Sequence, residues 1–275
     1  MTQNKKYKNC KSNNMDDLQI MKYVPCSLVD LPFDEDNKYF FYLLEAIRKV
    51  DKKFVTYEHE FSKHEHNYIA HLERVFAYEL YRQWGNIIKS EGEDLVLNGE
   101  IRKTLTFWYD ASGKKARDLY PDLVLHHSQG DDTHQVQICE IKRNLNLGGA
   151  KILDDLYKLA CYMDKDKYKS GYKNPFIYGV FILINGKLSE IKKKIKERIK
   201  VISQKCNDTK KQYETIKEEI MKHYSNIVCI AYDGDNIEYN TLKNIYPKLK
   251  QYNDESSIDN INCISLCPRG KRPRH

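Results

Sequence analysis

Residues 121–142 read PDLVLHHSQGDDTHQVQICEIK, and this stretch decides the fold. Two short runs of β-forming residues, DLVLHH (122–127) and QVQICEIK (135–142), are separated by SQGDDT, a loop of turn-forming residues. Such a pair of runs predicts a β-hairpin. The elements on either side are therefore expected to build onto this hairpin.

The second strand of the hairpin ends in two charged residues. Side chains two apart on a strand share a face, so Glu140 and Lys142 project from the row begun by Val136 and Ile138. Charges in such a row need an opposite charge or a metal ion, and Asp122 is the obvious neighbour. Two carboxylates brought close together repel unless a cation lies between them, and hard Mg²⁺ or Mn²⁺ suits oxygen ligands. The pattern therefore predicts a divalent-metal site.

Hydrophobic periodicity predicts further elements around the hairpin. The expected amphipathic helices cover 37–50, 67–84 (with Gly85 at the end), 151–163, and 187–224, where Asn207 and Asp208 can break the helix in two. The expected strands cover 101–110, 175–185 and 227–232. The run over 175–185 is apolar enough for a strand that is covered on both faces.

The order of these elements predicts an α/β fold, with a mixed central sheet of four or five strands flanked by helices. One folded domain is expected over residues 36–250, because 275 residues favour a single core with extensions over two full domains. Residues 1–35 are predicted to form an irregular N-terminal extension. Residues 251–275 are predicted to be a polar linker and a basic tail.

The hairpin motif resembles that of the PD-(D/E)XK nuclease superfamily, which includes restriction endonucleases, archaeal Holliday-junction resolvases and RecB-like nuclease domains. The motif residues are PD at 121–122 and EIK at 140–142. The likeness spans residues 67–185 and is one of pattern, since it includes the helix before the hairpin and the helix and strand after it. It implies a restriction-endonuclease-like core.

The resemblance also implies roles for the motif residues. Asp122 and Glu140 are expected to bind the metal, with the main-chain carbonyl of Ile141 as a further ligand. Lys142 is expected to assist hydrolysis by stabilising the pentacovalent transition state or by orienting the attacking water. The metal would lower the pKa of the bound water and polarise a phosphodiester.

Members of this family often add a carboxylate from the helix before the sheet, and here that helix offers Glu73 and Glu79. Both lie on the flanks of the apolar arc, so periodicity does not choose between them. The resolvases carry a Glu-Arg pair early in this helix, which favours Glu73 as a catalytic and metal-binding residue. The alternative is an edge-of-core glutamate paired with a nearby basic residue.

The predicted helix over 151–163 carries a polar stripe beside its apolar face, formed by Lys151, Asp155, Lys158 and Tyr162. Similar helices in RecB-like nucleases carry polar residues that face the site, so Lys151 and Lys158 are candidate nucleic-acid contacts. The alternative is ordinary i,i+4 pairing on a solvated face. The Gln-containing motif typical of RecB-type nucleases is missing here. The clustered cysteines of iron–sulfur nucleases are also missing, so no iron–sulfur cluster is expected.

The charge and hydropathy of the chain limit the kinds of partner that are expected. The chain has 46 Lys and Arg against 39 Asp and Glu, a formal charge of +7, which favours polyanions without prescribing one. Nucleic acid is the expected partner; DNA is preferred to RNA only through the resemblance, and a homodimer stays open. No apolar stretch approaches the roughly 20 residues of a membrane helix, and the start has no apolar signal segment. A cytoplasmic protein with no membrane partner is expected.

Mg²⁺, with Mn²⁺ as an alternative, is the expected cofactor, and zinc is not expected. The eight cysteines lack paired CxxC spacing, and the one CxxxC pair, Cys263 and Cys267, supplies only half of a tetrahedral site. Histidines gather near the hairpin and near the helix before it, but without a cysteine or carboxylate at ligand spacing. These histidines are His126, His127, His59, His64, His66 and His71.

Three functions remain at this point. The first is a metal-dependent nuclease that hydrolyses phosphodiester bonds, and the resemblance favours a DNA endonuclease. The second is a catalytically inactive protein of the same fold that binds nucleic acid or scaffolds partners. The third is a small-molecule enzyme on another α/β fold, in which Glu140 and Lys142 form a surface ion pair that is worth little. Convergence of Asp122, Glu140 and Lys142 in one cleft is the observation that separates them.

Overall fold

The computed structural model describes residues 37–55, 65–100, 120–127, 135–143, 145, 151–167, 175–203 and 207–247. These residues form six α-helices and six strands. The helices are α1 (Asn37–Lys49), α2 (Glu65–Ser90), α3 (Lys151–Met163), α4 (Leu188–Ser203), α5 (Asn207–His223) and α6 (Leu242–Ile245). The strands are β1 (Leu95–Gly99), β2 (Leu123–His127), β3 (Gln135–Lys142), β4 (Phe176–Ile184), β5 (Ile227–Tyr232) and β6 (Ile237–Thr241).

All six strands join one mixed sheet in the order β1-β2-β3-β4-β5-β6. The predicted hairpin forms as the antiparallel pair β2 and β3, and β1 and β6 add antiparallel edges. The central pairs β3–β4 and β4–β5 are parallel, so each needs a crossover. Helix α3 makes the first crossover, and α4 with α5 makes the second. The predicted α/β class is confirmed, but the described sheet has six strands rather than four or five.

The sheet separates two hydrophobic cores. Helices α3, α4 and α5 pack on one face, and α1 and α2 pack on the other. Strand β4 contributes to both cores, because Phe181 and Leu183 lie in the first while Val180 and Ile182 lie in the second. Full burial of a side chain of this size stabilises the fold by about 1.5–3 kcal/mol. The nearly continuous apolar run of β4 is thus explained by helices on both sides.

The charged region after β4 divides as the sequence predicts. Helix α4 ends at Ser203, and α5 begins at Asn207, one of the two residues expected to break the helix. The isoleucines of α4 recur every three or four residues and are buried in the first core. The apolar residues of α5 are buried in the same core. These residues are Ile191, Ile195, Ile199, Ile202, Tyr213, Ile216 and Ile220.

Helix α2 does not end at Gly85, as the sequence predicted, but continues to Ser90. A glycine inside a helix costs about 1 kcal/mol relative to alanine. Burial of Ile87 and Ile88 beyond the glycine, at 4% exposure each, more than offsets this cost. Tertiary packing therefore overrides the local stop signal.

Neither edge strand was predicted from the sequence. Strand β1 (Leu95–Gly99) has only Leu97 fully buried, and β6 (Ile237–Thr241) has only Thr241 fully buried. Short, partly exposed strands lack the apolar run that marks β4. The short helix α6 follows β6 and was also missed. The strand predicted over 101–110 lies outside the described residues.

A β-bulge in β3 puts one residue of the predicted row on the opposite face of the sheet. The β2–β3 register shifts between Leu125 and His126, which places one extra residue in β3. Val136 consequently packs in the core beneath α1 and α2, whereas Ile138 packs in the core beneath α3. The predicted row from Val136 through Ile138 is therefore wrong at its first member. Beyond the bulge, the side chains of β3 alternate regularly between the two faces of the sheet.

The terminal predictions fall largely beyond the described chain. The N-terminal extension (1–35) and the C-terminal tail (251–275) lie outside the described residues. Within the described part, no helix has both the length and the apolarity needed to cross a membrane.

Two glycines offer a matched test of this packing. A Cβ at Gly179 in β4 would lie 2.9 Å from Met163 Sδ and 3.1 Å from Leu159 Cβ of α3, whereas a Cβ at Gly85 in α2 would meet nothing within 4 Å. We expect Gly179→Ala to lower the free energy of unfolding by about 1–3 kcal/mol through overpacking. Gly85→Ala should raise it by about 0.5–1 kcal/mol. Urea denaturation measures both, and equal effects would contradict the described approach of α3 to β4.

Candidate active site

The start of β2 and the end of β3 meet helices α2 and α3 in one place. The register pairs Leu123 with Cys139, and its extension by one residue places Asp122 opposite Glu140. Asp122 Oδ2 accepts a hydrogen bond from the backbone N–H of Ile141 at 2.6 Å. The N–H of Asp122 donates in turn to the Cys139 carbonyl at 3.2 Å. These two bonds fix the Asp122 carboxylate beside the Glu140-Ile141 peptide.

Glu140 is the most deeply buried charged group of the site. Its side chain is only 1% exposed and pairs through Oε2 with the ammonium of Lys158 on α3. Its other oxygen, Oε1, is buried and has no hydrogen-bond partner among the residues that the structure describes. An unsatisfied buried acceptor costs roughly 1–3 kcal/mol. The Glu140 carboxylate thus has an unused coordination position.

Lys142 links the two helices across the end of β3. Its Nζ lies 3.6 Å from Glu73 Oε1 of α2 and 3.7 Å from Asp155 Oδ2 of α3. The same ammonium donates to the main-chain carbonyl of Ile141 at 3.1 Å. The ammonium therefore adjoins two of the carboxylates and the carbonyl that the sequence proposed as a metal ligand.

The structure separates the two candidate glutamates of α2. Glu73 faces β3, because its Oε2 also accepts a hydrogen bond from the Arg143 backbone N–H at 3.2 Å. Glu79 instead accepts two hydrogen bonds from the Arg82 guanidinium, at 2.6 and 2.9 Å, and one from the Gln83 amide at 2.7 Å. Glu73 joins the cluster and Glu79 does not.

Helix α3 contributes more side chains to this site than the sequence predicted. Lys158 contacts Glu140 directly, so this candidate nucleic-acid contact is at present an internal partner. Asp155, which was not among the predicted site residues, lies 3.8 Å from Lys158 Nζ as well as near Lys142. Its position on the same polar stripe, three residues before Lys158, is the sequence feature that could have identified it as a site residue. Lys151 begins α3, and its side chain lies outside the described part.

The charges of this cluster do not balance. Among the described residues it contains four carboxylates and two ammonium groups, those of Glu73, Asp122, Glu140, Asp155, Lys142 and Lys158. When all six are ionised, four negative charges face two positive ones, which leaves an excess of two negative charges. A bound divalent cation would remove this excess.

The pKa shifts reflect the same imbalance. Burial raises the pKa of Glu140 to about 8, against the lowering effect of Lys158 and with a further rise from Asp122. Burial also raises the pKa of Glu73, although the Lys142 ammonium opposes the rise. Burial lowers the pKa of Lys142. The surrounding carboxylates, Asp155 and Glu140 foremost, raise this pKa by more than burial lowers it, so the ammonium stays protonated.

The donor set suits a hard cation such as Mg²⁺. Asp122 and Glu140 offer carboxylate oxygens, Glu140 Oε1 lacks a hydrogen-bond partner among the described residues, and the Ile141 carbonyl, which accepts from Lys142, is a further oxygen ligand in the same segment. Mg²⁺ commonly binds through one or two carboxylates and keeps several waters. Among the described residues, these carboxylates do not form a group of three with ligand atoms within 4.8 Å of one another. A cation here would therefore draw mainly on Asp122 and Glu140.

One tighter group of ligand atoms exists elsewhere in the described chain. Asp164, after α3, and Glu219 and His223 of α5 place their ligand atoms within 4.8 Å of one another. Lys222 lies 3.4 Å from Asp164 Oδ2 and 3.1 Å from Glu219 Oε2, and Lys167 lies 3.2 Å from the same Glu219 oxygen. The two lysines balance the two carboxylates, so this group connects α3 to α5 without needing a cation.

The remaining metal expectations concern histidines and cysteines. His126 is buried, with Nε2 2.7 Å from the Asn98 amide of β1 and Nδ1 2.6 Å from the His127 carbonyl, which indicates a structural role. The cysteines among the described residues are buried free thiols: Cys139, Cys161 and Cys229. Cys263, Cys267 and the histidine side chains near the start of α2 lie outside the described part.

Comparisons with protein families, curated proteins and solved structures found no match to this chain.

The raised pKa of Glu140 predicts a pH-dependent stability. A carboxyl group whose pKa rises on folding stabilises the protein below its unfolded pKa, and this contribution is lost as the pH rises from 4.5 towards about 8. In EDTA, the free energy of unfolding should therefore fall between pH 5 and pH 8.5 by about 1 kcal/mol or more beyond the fall seen in Glu140→Gln. Urea titrations of both proteins measure this difference.

Added Mn²⁺ gives the counterpart to this measurement. Because metal binding requires the ionised carboxylate, stabilisation of the wild type by Mn²⁺ should grow over the same pH interval and should be weaker in Glu140→Gln. Parallel pH profiles for the two proteins, with and without metal, would contradict the described environment of Glu140.

Proposed function

We propose that the protein is a metal-dependent nuclease of the PD-(D/E)XK type, built on a restriction-endonuclease-like core and acting on DNA as an endonuclease. The proposal is carried by one observation, the convergence of Asp122, Glu140 and Lys142 at one end of the sheet. Glu73, from the preceding helix, adds the further carboxylate found in many members of that family. Mg²⁺ is the proposed cofactor, and Mn²⁺ is expected to replace it.

In this proposal Asp122 and Glu140 hold the metal, with the Ile141 carbonyl as a main-chain ligand. A bound Mg²⁺ would supply an activated water and polarise the phosphodiester. The hydrogen bond from Ile141 N–H orients the Asp122 carboxylate before the metal arrives. Preorganisation of this kind limits the reorganisation needed during the reaction.

Lys142 is proposed to stabilise the negative charge of the pentacovalent transition state. The four surrounding carboxylates keep its ammonium charged, and Glu73 and Asp155 hold it from opposite helices. Lys158 now neutralises Glu140. A cation on Glu140 would free this ammonium, so Lys158 is a candidate phosphate contact once the metal is bound.

The two other functions are less well supported by these contacts. A surface ion pair between Glu140 and Lys142 is incompatible with the 1% exposure of the Glu140 side chain. A protein that only binds or scaffolds gains nothing from four adjacent carboxylates, two of them buried, because such a group costs stability in the absence of a cation. The cluster therefore favours a catalytic site.

Cleavage assays test the proposal directly. Purified protein is incubated with plasmid, linear and single-stranded DNA and with RNA, in Mg²⁺, Mn²⁺ or EDTA. We expect cutting that requires the metal and falls about 100-fold or more in Asp122→Asn and in Lys142→Ala, because each removes a group that acts on the metal or on the transition state. Cutting that persists in EDTA, or that is equal in the wild type and both variants, would overturn the proposal.

The two glutamates of α2 provide a matched pair of variants. Glu73→Gln should reduce the cleavage rate about 10-fold to 100-fold, because it removes a carboxylate that contacts Lys142 and the Arg143 N–H. Glu79→Gln changes contacts with Arg82 and Gln83 outside the cluster and should cleave at the wild-type rate. The same rate loss in both variants would mean that Glu73 has no special place in the site.

A further inference from the structure

A cleft of about 940 Å³ opens beside the candidate site, between α2 and β1. Asp122 and Glu73 line its inner end, while Tyr78 and Tyr81 of α2 line the wall farther along. A second depression of about 370 Å³ continues between the same two elements as far as Lys89, and Tyr81 borders both. Both lie along the same face of α2 and against β1, and together they are called the α2–β1 groove.

The α2 wall of this groove presents exposed aromatic side chains. Of the five large hydrophobic side chains that are exposed in the described part of the chain, two line the groove. Tyr78 is 64% exposed and Tyr81 is 41% exposed. With Arg74 they follow a spacing of four and three residues, so all three lie on one face of the helix. Tyrosine rings held open to solvent beside a candidate active site offer planar surfaces for stacking.

The charges of the groove indicate which part of a ligand contacts its walls. Basic residues lie near its two ends, Arg74 and Lys89, about 15 residues and roughly 22 Å apart along α2. Glu100 and Glu93 line the groove as well, and Glu100 lies 3.8 Å from Arg74. A continuous phosphate track is therefore absent from the described groove walls. Stacking of bases on tyrosine rings, worth about 1–3 kcal/mol per base, is the contact that these walls offer.

We infer that the α2–β1 groove binds an unpaired nucleic-acid strand, whose bases stack on Tyr78 and Tyr81 and whose backbone leads to Asp122. This inference rests on the proposed nuclease function. The occupant is single-stranded because the faces of paired bases are already stacked within a duplex and are not accessible to a tyrosine ring. The substrate is thus a single strand, or an unpaired region of a duplex.

Binding measurements in EDTA test the inference apart from cleavage. The full chain is titrated against a fluorescein-labelled single-stranded oligonucleotide of mixed sequence and against the duplex of the same sequence, and anisotropy is recorded. We expect the single strand to bind more tightly than the duplex. Tyr78→Ala and Tyr81→Ala should each weaken single-strand binding by roughly 5-fold to 100-fold, the range for loss of one base–aromatic stack.

Two controls separate stacking from a general disturbance of the fold. Tyr78→Phe keeps the ring and should bind like the wild type, and Val201→Ala changes an exposed residue on α4 and should also leave binding unchanged. Thermal unfolding of each variant confirms that it is folded; both tyrosines are exposed, so little change is expected. Equal binding of single strand and duplex, or wild-type binding by both alanine variants, would overturn the inference.

The outcomes for the groove and for the catalytic site are distinguishable. Tyrosine-dependent binding of the single strand without any metal-dependent cutting would support the groove and contradict the nuclease proposal. Metal-dependent cutting that is unchanged in Tyr78→Ala and Tyr81→Ala, on both single-stranded and duplex substrates, would support the nuclease proposal and contradict the groove.

Discussion

The antiparallel register between β2 and β3 is the constraint on which the rest of the structure depends. Side chains alternate along a strand, so a slip of one residue would turn Asp122 and Glu140 to opposite faces of the sheet. The hydrogen bond between Ile141 N–H and Asp122 Oδ2 holds the register at one end, and the bulge at Val136 interrupts it near the other. Strand β4 then pairs with β3 in parallel, so both cores are positioned relative to this hairpin.

Burial of Glu140 connects the packing of the first core with the charges of the site. A carboxylate in this position needs a partner from the helix above it, and Lys158 of α3 provides one. Helix α3 can approach the sheet closely because Gly179 presents no Cβ to Leu159 and Met163. The same approach brings Asp155 to within ion-pairing distance of Lys142. A small residue in β4 thus helps to determine the geometry of a charged cluster at the end of β3.

The sequence predicted the parts whose signal is local. Burial on both faces makes β4 a continuous apolar run, and the two-residue spacing of Glu140 and Lys142 places them on one strand face. Periodicity did not separate Glu73 from Glu79, because that choice depends on the rotation of α2 against the sheet; only the family resemblance favoured Glu73. The extension of α2 past Gly85 was equally hidden, since the buried contacts that stabilise it are with distant elements. Half-exposed edge strands have no strong apolar pattern to detect.

The α2–β1 groove combines an element that the sequence predicted with one that it missed, because Tyr78 and Tyr81 lie in the predicted part of α2 whereas the opposite wall is the edge strand β1. This arrangement has an electrostatic consequence. When its carboxylates are ionised, the inner end of the groove carries an excess of negative charge, which opposes the approach of a phosphodiester. In the proposed function, a divalent cation bound there would remove this excess, while the tyrosines farther along contact the faces of bases rather than phosphates. A strand held by its bases would then engage the site productively only with the cation bound.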